Sequence, residues 1–516
     1  MAKHGYNQIV TVLVVIIVTS NHGDIIVTVT VNNQRTTMIF ELWADKDGDR
    51  KIFFYDNEKN ILTTEAGEVF EYPDAKPQEG LTPYIPFDKN LPLKKSRSLK
   101  TIKIQLGLSC NYTCDYCSQK FVERPKETNP KDIEDFMSMF NNLEFDPKTG
   151  LRVEFWGGEP LVYWKTLKPL AEAISNKFSD WPTPPQFSMI TNGSLLTEEI
   201  CAWLYSMGFS VAISHDGPGQ SVRGPDPFDD PAKKEIILNF YEIMKPHNRI
   251  SFNAMMNSKN TSRKEIFDWF VELTGDPYVP LGEGAFVDAY DEDGLESSLN
   301  TKQEHFEYRL KSFADIFMTH GQIGFQGILQ KVDDFTEAVL SHKEATYLGQ
   351  KCGMDSEHTV AFDLRGNVVT CQNVSALEIS KNGESHLGGS ITDIENVEIK
   401  TATHWSNRLE CPKCPVLHIC KGACMFLDGE YWTKSCDNAF SDAIPLFVLS
   451  LEKVTEGYKV YYINNSELPP ERRDIFGWNL KHEDEPKKKV IPIKVVAEKV
   501  AVIDNVEVYG KSKVVA

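Results

Sequence analysis

Strand-like and helix-like segments alternate from residue 101 to residue 318, and this alternation limits the fold more than any other feature. The strand-like segments, rich in β-branched and other apolar residues, cover residues 101–106, 151–156, 186–190, 209–213, 248–256 and 284–290. The segments with helical amphipathic spacing cover residues 130–143, 166–178, 197–207, 231–244, 262–273 and 301–318. Such alternation predicts an α/β fold with a parallel sheet and right-handed crossovers. Six units predict a partial (β/α)6 TIM barrel whose chemistry lies at the C-terminal ends of the strands.

Three cysteines follow the first strand-like segment. Cys110, Cys114 and Cys117 have the spacing C-x3-C-x2-C. Three thiolates can hold three irons of a cubic iron–sulfur cluster, which leaves the fourth iron open to a small molecule. Tyr116 precedes the last cysteine, and its ring is expected to lie against a flat cofactor. A zinc site or three unrelated cysteines are the alternatives, although zinc sites usually add a second cysteine pair or histidines.

Polar and glycine-rich stretches end the next three strand-like segments. They are Gly157-Gly158-Glu159-Pro160, Thr191-Asn192-Gly193 and Ser214-His215-Asp216-Gly217-Pro218, with Arg223 just beyond the third. Glycines permit close approach of backbone carbonyls, and a carboxylate accepts hydrogen bonds from an ammonium group. Ordinary strand-to-helix turns are the alternative, in particular for Asn192 and Asp216.

The cysteine motif and the stretch that begins at Gly157 together resemble the signature of radical S-adenosylmethionine (SAM) enzymes. The resemblance implies that the open iron chelates the methionine end of SAM and that a 5′-deoxyadenosyl radical is released. The SAM contacts that it implies are Gly157, Gly158 and Glu159 at the amino group, Asn192 among the ribose and carboxylate contacts, and Ser214 and Arg223 at the carboxylate. A guanidinium is suited to pairing with both oxygens of a carboxylate.

A second set of cysteines lies after residue 350. In order, with one glycine between them, the residues are Cys352, Gly366, Cys371, Cys411, Cys414, Cys420, Cys424 and Cys436. This pattern resembles the SPASM domain, which carries auxiliary iron–sulfur clusters in radical enzymes that modify peptides and proteins; a zinc ribbon is the alternative. By that resemblance the first auxiliary group is Cys352, Cys371 and Cys424, and the second is Cys411, Cys414, Cys420 and Cys436. Three 4Fe-4S clusters are therefore expected in all.

The first auxiliary group lacks a fourth cysteine. We expect either an open iron there or a ligand of another type, such as Asp355 or His358. The remaining cysteine, Cys201, lies on the apolar face of the predicted helix 197–207 and is expected to be a core residue.

Composition limits the partners and the location. The chain has 516 residues, enough for two or three domains, and a net charge of −19, which disfavours nucleic acid and anionic membranes as partners. Since ten of the eleven cysteines belong to cluster motifs, no disulfide is implied and a reducing, cytoplasmic location is expected. The apolar residues 9–19 could be read as a signal peptide, but their β-branched composition favours a hairpin with residues 25–31.

Five parts are expected along the chain. They are a β-rich N-terminal domain (1–75) that is a candidate for peptide binding, a linker (76–99), the radical SAM barrel (100–340), the SPASM domain (341–454) and a C-terminal extension (455–516). Strands are predicted at 37–43, 51–55 and 68–72, and a closing helix at 439–454. Residues 491–508 have strand character and could return to the N-terminal sheet.

The two resemblances imply maturation of a ribosomally made precursor peptide. The radical would take a hydrogen from a side-chain carbon, and a cross-link or another oxidised product would form. A flavodoxin or ferredoxin is the expected electron donor. Asp288 and Asp291 are candidates for the catalytic base by position alone.

Three alternatives stay open. They are a formylglycine-generating oxidase that resembles the anaerobic sulfatase maturases, a small-molecule radical enzyme of cofactor biosynthesis, and a non-catalytic iron–sulfur protein. The sulfatase maturases place an aspartate base directly after the cysteine that matches Cys371, where this chain has Gln372. That difference disfavours the first alternative.

Overall fold

The computed structural model describes residues 38–73, 94–120, 122, 128–318, 325–379, 385–399 and 404–477, and the backbone of 14–21, 24–31, 494–503 and 506–515. Most of the predicted linker 76–99 lies outside the described residues. Within the described part of the chain, none of the helices combines the length and the apolar character needed to cross a bilayer.

The strands of the described residues are β1 Val14–Asn21, β2 Asp24–Val31, β3 Ile39–Lys46, β4 Asp49–Asp56, β5 Ile61–Thr64, β6 Thr101–Gln105, β7 Arg152–Trp156, β8 Gln186–Thr191, β9 Ser210–Ser214, β10 Ile250–Met256, β11 Leu281–Phe286, β12 Thr359–Asp363, β13 Asn367–Val369, β14 Leu387–Ser390, β15 Lys459–Asn464, β16 Lys494–Ile503 and β17 Val506–Val515. The helices are α1 Asp132–Phe140, α2 Trp164–Lys177, α3 Glu198–Ser206, α4 Pro231–Met244, α5 Arg263–Thr274, α6 Glu292–Glu296, α7 Lys302–Met318, α8 Gln326–Leu340, α9 Leu417–Cys420, α10 Gly429–Val454 and α11 Pro470–Arg473.

The central sheet has the order β11-β10-β9-β8-β7-β6-β12-β13-β14. Strands β6 to β11 are parallel and adjacent in chain order, which confirms the predicted partial barrel. β12 adds a further parallel strand beside β6, and β13 and β14 continue the sheet antiparallel. The sixth predicted strand is displaced: β11 covers Leu281–Phe286 rather than 284–290.

Alternating burial and helix caps explain the β/α units. Alternate residues of β10 are buried, and Phe252 of this strand stacks on Phe270 of α5 with ring centroids 4.5 Å apart. Thr197 and Ser262 each accept a hydrogen bond from a backbone amide in the first turn of α3 and α5. These caps satisfy donors that the helix itself leaves unpaired.

A four-stranded sheet of order β15-β3-β4-β5 combines three strands from before the barrel with one strand that follows α10. The strand that returns to the N-terminal sheet is β15, whereas residues 494–503 pair with 506–515 instead. The strand predicted at 68–72 is absent from the described residues; β5 takes its position, and Val69 contributes one bridge to Thr63. The hairpin predicted near the N-terminus is confirmed as β1 and β2.

The small sheet packs on the barrel through one continuous apolar core. Tyr55 of β4 contacts Phe447 of α10 edge to face, at 5.5 Å between ring centroids. Helix α10 begins at Gly429, ten residues before the predicted start at 439, because its burial against the barrel compensates for several weak helix formers in its first turns. Cys436 therefore lies within a helix.

Candidate active site and cysteine groups

The loop after β6 brings Cys110, Cys114 and Cys117 together. Burial, followed by the charges of Cys117 and Cys110, raises the pKa of Cys114 to about 12. The backbone amides of Tyr112 and Gln119 donate to the sulfurs of Cys110 and Cys117, both at 3.4 Å. Amides that point at sulfur favour the thiolate form. The loop is therefore suited to holding three thiolates on one group.

One cavity of about 380 Å³ at the C-terminal ends of the strands gathers the predicted site. Its lining includes the three cysteines and all seven residues assigned to SAM, which are Tyr116, Gly157, Gly158, Glu159, Asn192, Ser214 and Arg223. Parallel strands carry their C-terminal ends to the same edge of a sheet, which explains this convergence. A larger cavity of about 770 Å³ shares Trp156 and Ile190 with the first but is lined by none of the cysteines.

Gly157 and Gly158 run beside the cysteine loop. The amide of Gly158 donates to the carbonyl of Gly107 at 3.1 Å, and the amide of Glu159 donates to the carbonyl of Ser109 at 3.0 Å. A side-chain carbon at either glycine would overlap one of these carbonyl oxygens. The sequence predicted close approach to a cofactor; the structure shows that close approach of two backbones also requires both glycines.

Glu159 fixes the ends of two strands. Burial raises the pKa of its carboxyl, and hydrogen bonds from the backbone of Asn192 and Leu161 and from the Thr191 hydroxyl oppose that rise. Asn192 in turn donates through Nδ2 to Asn111 in the cysteine loop, at 2.9 Å. The carboxylate expected at the SAM amino group is thus already engaged by the protein.

Arg223 belongs to a buried network with Tyr116 and Asp216. Its Nη1 donates to the Tyr116 hydroxyl at 2.7 Å and to Asp216 at 3.3 Å, and the Tyr116 hydroxyl donates to Asp216 at 2.7 Å. Asp216 is fully buried, so its role is internal. The Nε of Arg223 is buried without a hydrogen-bond partner among the described residues. That donor remains for a ligand.

The second auxiliary group lines a small cavity of its own, formed with α9 and α10. Burial raises the pKa of Cys420 to about 12 and that of Cys414 to about 11, and in both cases the Cys436 thiol contributes. The thiols are therefore close enough to influence one another, as ligands of one cluster are. In the described ranges, no three His, Cys, Asp or Glu side chains meet closely enough to share a single ion.

The N-terminal sheet supports this group. Asn57, which follows β4 and is 1% exposed, donates through Nδ2 to the carbonyls of Pro412 and Cys414 at 3.0 and 2.9 Å. Its own carbonyl lies 2.8 Å from Nε2 of His418. The turn after β4 is therefore fastened to the loop that carries the second auxiliary group.

The first auxiliary group is also brought together. Burial raises the pKa of Cys371 to about 12, and the charges of Cys424 and Cys352 contribute to the rise. Cys352 is exposed and the other two are half-buried. Cys201, by contrast, is a buried core residue of α3, as predicted.

Both side chains offered as a fourth ligand have other partners. The carboxylate of Asp355 accepts from the backbone amide of Gln350 at 2.5 Å and lies 3.2 Å from Nε2 of His404. Nδ1 of His358 lies 2.8 Å from the carbonyl oxygen of Ser98. The ligation of the first auxiliary group stays a prediction.

The two candidate bases have different surroundings. Asp288 lines the 380 Å³ cavity, and burial raises its pKa, with Lys351 among the groups that oppose the rise. Asp291 caps α6 by accepting from the amide of Gly294 at 2.9 Å and lies 3.1 Å from Nζ of Lys120. The lining residues of the cavity include Asp288 and not Asp291.

Tyr290, Lys351 and Asn373 are among the lining residues that sequence reasoning missed. Lys351 precedes Cys352, and Asn373 follows Cys371 by two residues. Their proximity to predicted ligands is a signal that could have found them. Tyr290 has no comparable signal in the sequence.

Comparison with known proteins finds one family model and several relatives. The family model of the Radical SAM superfamily matches residues 104–270. The radical SAM cyclopropyl synthase TigE of Paramaledivibacter caminithermalis is 23% identical over 64% of this chain and 69% of its own length. The serine-type anaerobic sulfatase-maturating enzyme of Bacteroides thetaiotaomicron is 22% identical over 66% of this chain and 84% of its own.

Among solved structures, anSMEcpe with bound AdoMet and Kp18Cys peptide is 19% identical, with a TM-score of 0.49 and coverage of 69% of this chain and 99% of its own. Streptococcus suis SuiB bound to precursor peptide SuiA is 14% identical, with a TM-score of 0.44 and coverage of 64% and 72%. The family match covers β7 to β10, the cysteine loop and all seven SAM-assigned residues that line the cavity. Residues 104–270 are accordingly a Radical SAM domain.

Proposed function

We propose that this protein is a peptide maturase with a C-terminal SPASM domain. It takes a hydrogen atom from a side-chain carbon of a ribosomally made precursor peptide and forms a cross-link or another oxidised product. The observation that carries the proposal is the shared cavity of about 380 Å³, because residues beside the radical cysteines and residues beside the first auxiliary group line the same space. A substrate bound there is within reach of both groups.

The side chains at one end of the cavity are suited to binding a cluster and SAM. Cys110, Cys114 and Cys117 hold the radical cluster, which when bound supplies the reductive cleavage of SAM to the 5′-deoxyadenosyl radical. Arg223 orients SAM through its unpartnered Nε, since its Nη1 is engaged by Tyr116 and Asp216. The fit rests on the three close thiols and on this orphaned donor.

The far end of the cavity is suited to the second half of the reaction. A cross-link breaks two bonds to hydrogen in the peptide and forms one new bond between the two peptide atoms. One hydrogen atom goes to the deoxyadenosyl carbon, and one proton and one electron must leave. Asp288 accepts the proton, because it lines the cavity and burial raises its pKa towards the range in which a carboxylate is an effective base. Tyr290 also lines the cavity and is a hydrogen-bond partner of Cys424, so the first auxiliary group is the nearest acceptor for the electron.

The full set of cofactors in this proposal is SAM and three 4Fe-4S clusters. A flavodoxin or ferredoxin serves as the one-electron partner, and the cytoplasm is the proposed location. The relatives support a reaction that forms bonds or oxidises proteins, since one is a cyclopropyl synthase and another matures sulfatases.

A sulfatase-maturing activity is the second candidate, and the sulfatase-maturating relative favours it. Gln372 argues against it, because the residue is buried, does not line the cavity and has an amide side chain that cannot accept a proton as an aspartate does. The proton acceptor would then have to be Asp288. Small-molecule chemistry and a non-catalytic role lack a comparable observation.

The test uses the reconstituted protein, a chemical reductant, SAM and the peptide encoded by a short reading frame beside the gene. We expect 5′-deoxyadenosine in equal amount to a peptide that has lost two hydrogen atoms, with deuterium from a labelled side chain in the nucleoside. A Cys or Ser converted to formylglycine would support the second candidate. SAM cleavage that leaves the peptide unchanged would contradict the peptide substrate.

A further inference from the structure

A guanidinium from the C-terminal part of the chain contacts the second auxiliary group. Nη2 of Arg472, on α11, donates to the sulfur of Cys436 at 3.5 Å and to Asp437 at 2.5 Å. The Arg472 side chain is 12% exposed and lies over the ring of Phe440, 4.8 Å from its centroid. It is therefore held in place by packing as well as by its two acceptors.

The positive charge of Arg472 also acts on a second cysteine, Cys414. Burial raises the pKa of Cys414, and Arg472 is the strongest influence that opposes the rise. Asp437 offsets part of the charge, but its side chain is 35% exposed, so water screens it more than the guanidinium. Arg408, at 7% exposure, acts on Cys411 in the same direction.

The first auxiliary group has the opposite surroundings. Asp355 raises the pKa of Cys352, and Asp288 raises that of Cys424, in both cases after the larger effect of burial. Lys103 is the cation that opposes these carboxylates at Cys352. Among the described residues, two arginines and Lys351 thus act on the second auxiliary group, and two carboxylates and Lys103 act on the first.

Charge and hydrogen bonding determine how readily an iron–sulfur group is reduced. Each added electron makes the group more negative, so a nearby cation and an N–H donor to a ligating sulfur stabilise the reduced state and raise the reduction potential. Carboxylates lower the potential for the same reason.

We propose that Arg472 is a positioning residue that raises the reduction potential of the group held by Cys411, Cys414, Cys420 and Cys436 through its hydrogen bond to the sulfur of Cys436. In the proposed reaction, this shift would favour electron transfer onto the second auxiliary group. This inference rests on the proposed function, in which both auxiliary groups are iron–sulfur clusters.

The experiment measures the midpoint potential of the second auxiliary group in full-length, reconstituted protein by redox titration with electron paramagnetic resonance. Its signal is the one lost in a Cys411→Ala, Cys414→Ala variant. Arg472→Gln removes the positive charge and replaces the guanidinium with an amide on a shorter side chain. Arg473→Gln is the matched control, because the neighbouring Arg473 bonds to the carbonyls of Leu468 and Ser466 and to no cysteine.

We expect a lower midpoint in Arg472→Gln and a wild-type midpoint in Arg473→Gln, with the signal of the radical cluster unchanged in both. Equal midpoints in the two variants would overturn the inference. If Arg472→Gln loses its iron, Asp437→Asn is titrated instead; loss of the carboxylate that offsets Arg472 should raise the midpoint, and a wild-type midpoint overturns the inference. Wild-type protein without any signal that depends on Cys411 and Cys414 would overturn the proposed auxiliary cluster itself, a result distinct from an unshifted potential.

Discussion

The carboxylate of Glu159 accepts a hydrogen bond from the backbone amide of Asn192 at 2.7 Å and so ties the end of β7 to the end of β8. The same side chain accepts from the hydroxyl of Thr191 at 2.7 Å and from the amide of Leu161 at 3.0 Å. It is 2% exposed, so three donors depend on one buried acceptor group. The rim of the SAM cavity is therefore held from within the protein.

Glu159→Ala should destabilise the protein by about 2–4 kcal/mol, because it leaves buried donors without partners. The midpoint of chemical denaturation measures this effect. Glu144→Ala is the control, because that side chain is 67% exposed and pairs with Arg97 on the surface, an interaction worth about 0–1 kcal/mol. Equal losses in the two variants would show that Glu159 is not the tie between the strands.

Replacement of Cys110, Cys114 and Cys117 by Ala should abolish formation of 5′-deoxyadenosine and lower the iron content by about one cluster's share, since the auxiliary groups keep their own thiolates. Chromatography of the nucleoside and an iron assay measure the two effects. Cys201→Ala should change neither, because Cys201 is packed in the core of α3. Nucleoside formation at the wild-type rate in the triple variant would contradict the radical site.

Arg223→Ala should weaken SAM binding by about 1.5–3 kcal/mol, the range for a charge-assisted hydrogen bond in a partly buried site. The dissociation constant for SAM gives the answer directly. Arg249→Ala serves as control, because Arg249 precedes β10 at the opposite end of the barrel and donates to the carbonyl of Tyr205. An unchanged dissociation constant in Arg223→Ala would show that Arg223 does not bind SAM and serves only to hold Tyr116 and Asp216.

Asp288→Asn should preserve SAM cleavage and lose most of the modified peptide, since the variant has no proton acceptor. In the wild type, product formation should rise with pH through the pKa of Asp288, which burial holds above that of an ordinary aspartate. The base is the ionised form, so activity is lost as the pH falls. Asp291→Asn is the control: the amide oxygen of Asn can still accept from Gly294 and cap α6, so the variant should spare product formation. Loss of product in Asp291→Asn but not in Asp288→Asn would instead identify Asp291 as the proton acceptor.

Asn57→Ala should lower the iron retained by the second auxiliary group and destabilise the protein by about 1–3 kcal/mol, because the carbonyls of Pro412 and Cys414 lose their donor. Iron content after gel filtration, together with the denaturation midpoint, tests this. Asn464→Ala, on the outer strand β15 of the same sheet, removes only an exposed contact with Glu41. Wild-type iron content in Asn57→Ala would limit that residue to a role in folding.

The order of the parallel strands and the radical cysteine loop could be predicted from the sequence, and the seven residues assigned to SAM line one cavity. These features are local: a strand, its C-terminal turn and its ligands lie within a few residues of one another, and parallel topology then brings the turns together. The displaced end of β11 and the early start of α10 were missed because packing against the barrel, rather than propensity, determines them.

The side chains that support the auxiliary groups could not be predicted from the sequence, because they come from distant segments of the chain. Asn57 binds the carbonyl of Cys414 across 357 residues of sequence, and Arg472 reaches the sulfur of Cys436 across 36. The tertiary structure also separated Asp288, which lines the cavity, from Asp291, which caps a helix, although three residues separate them in the chain. A hydrogen bond between distant segments leaves no periodicity or motif in either of them, so it becomes visible only when the chain has folded and both partners are buried against each other.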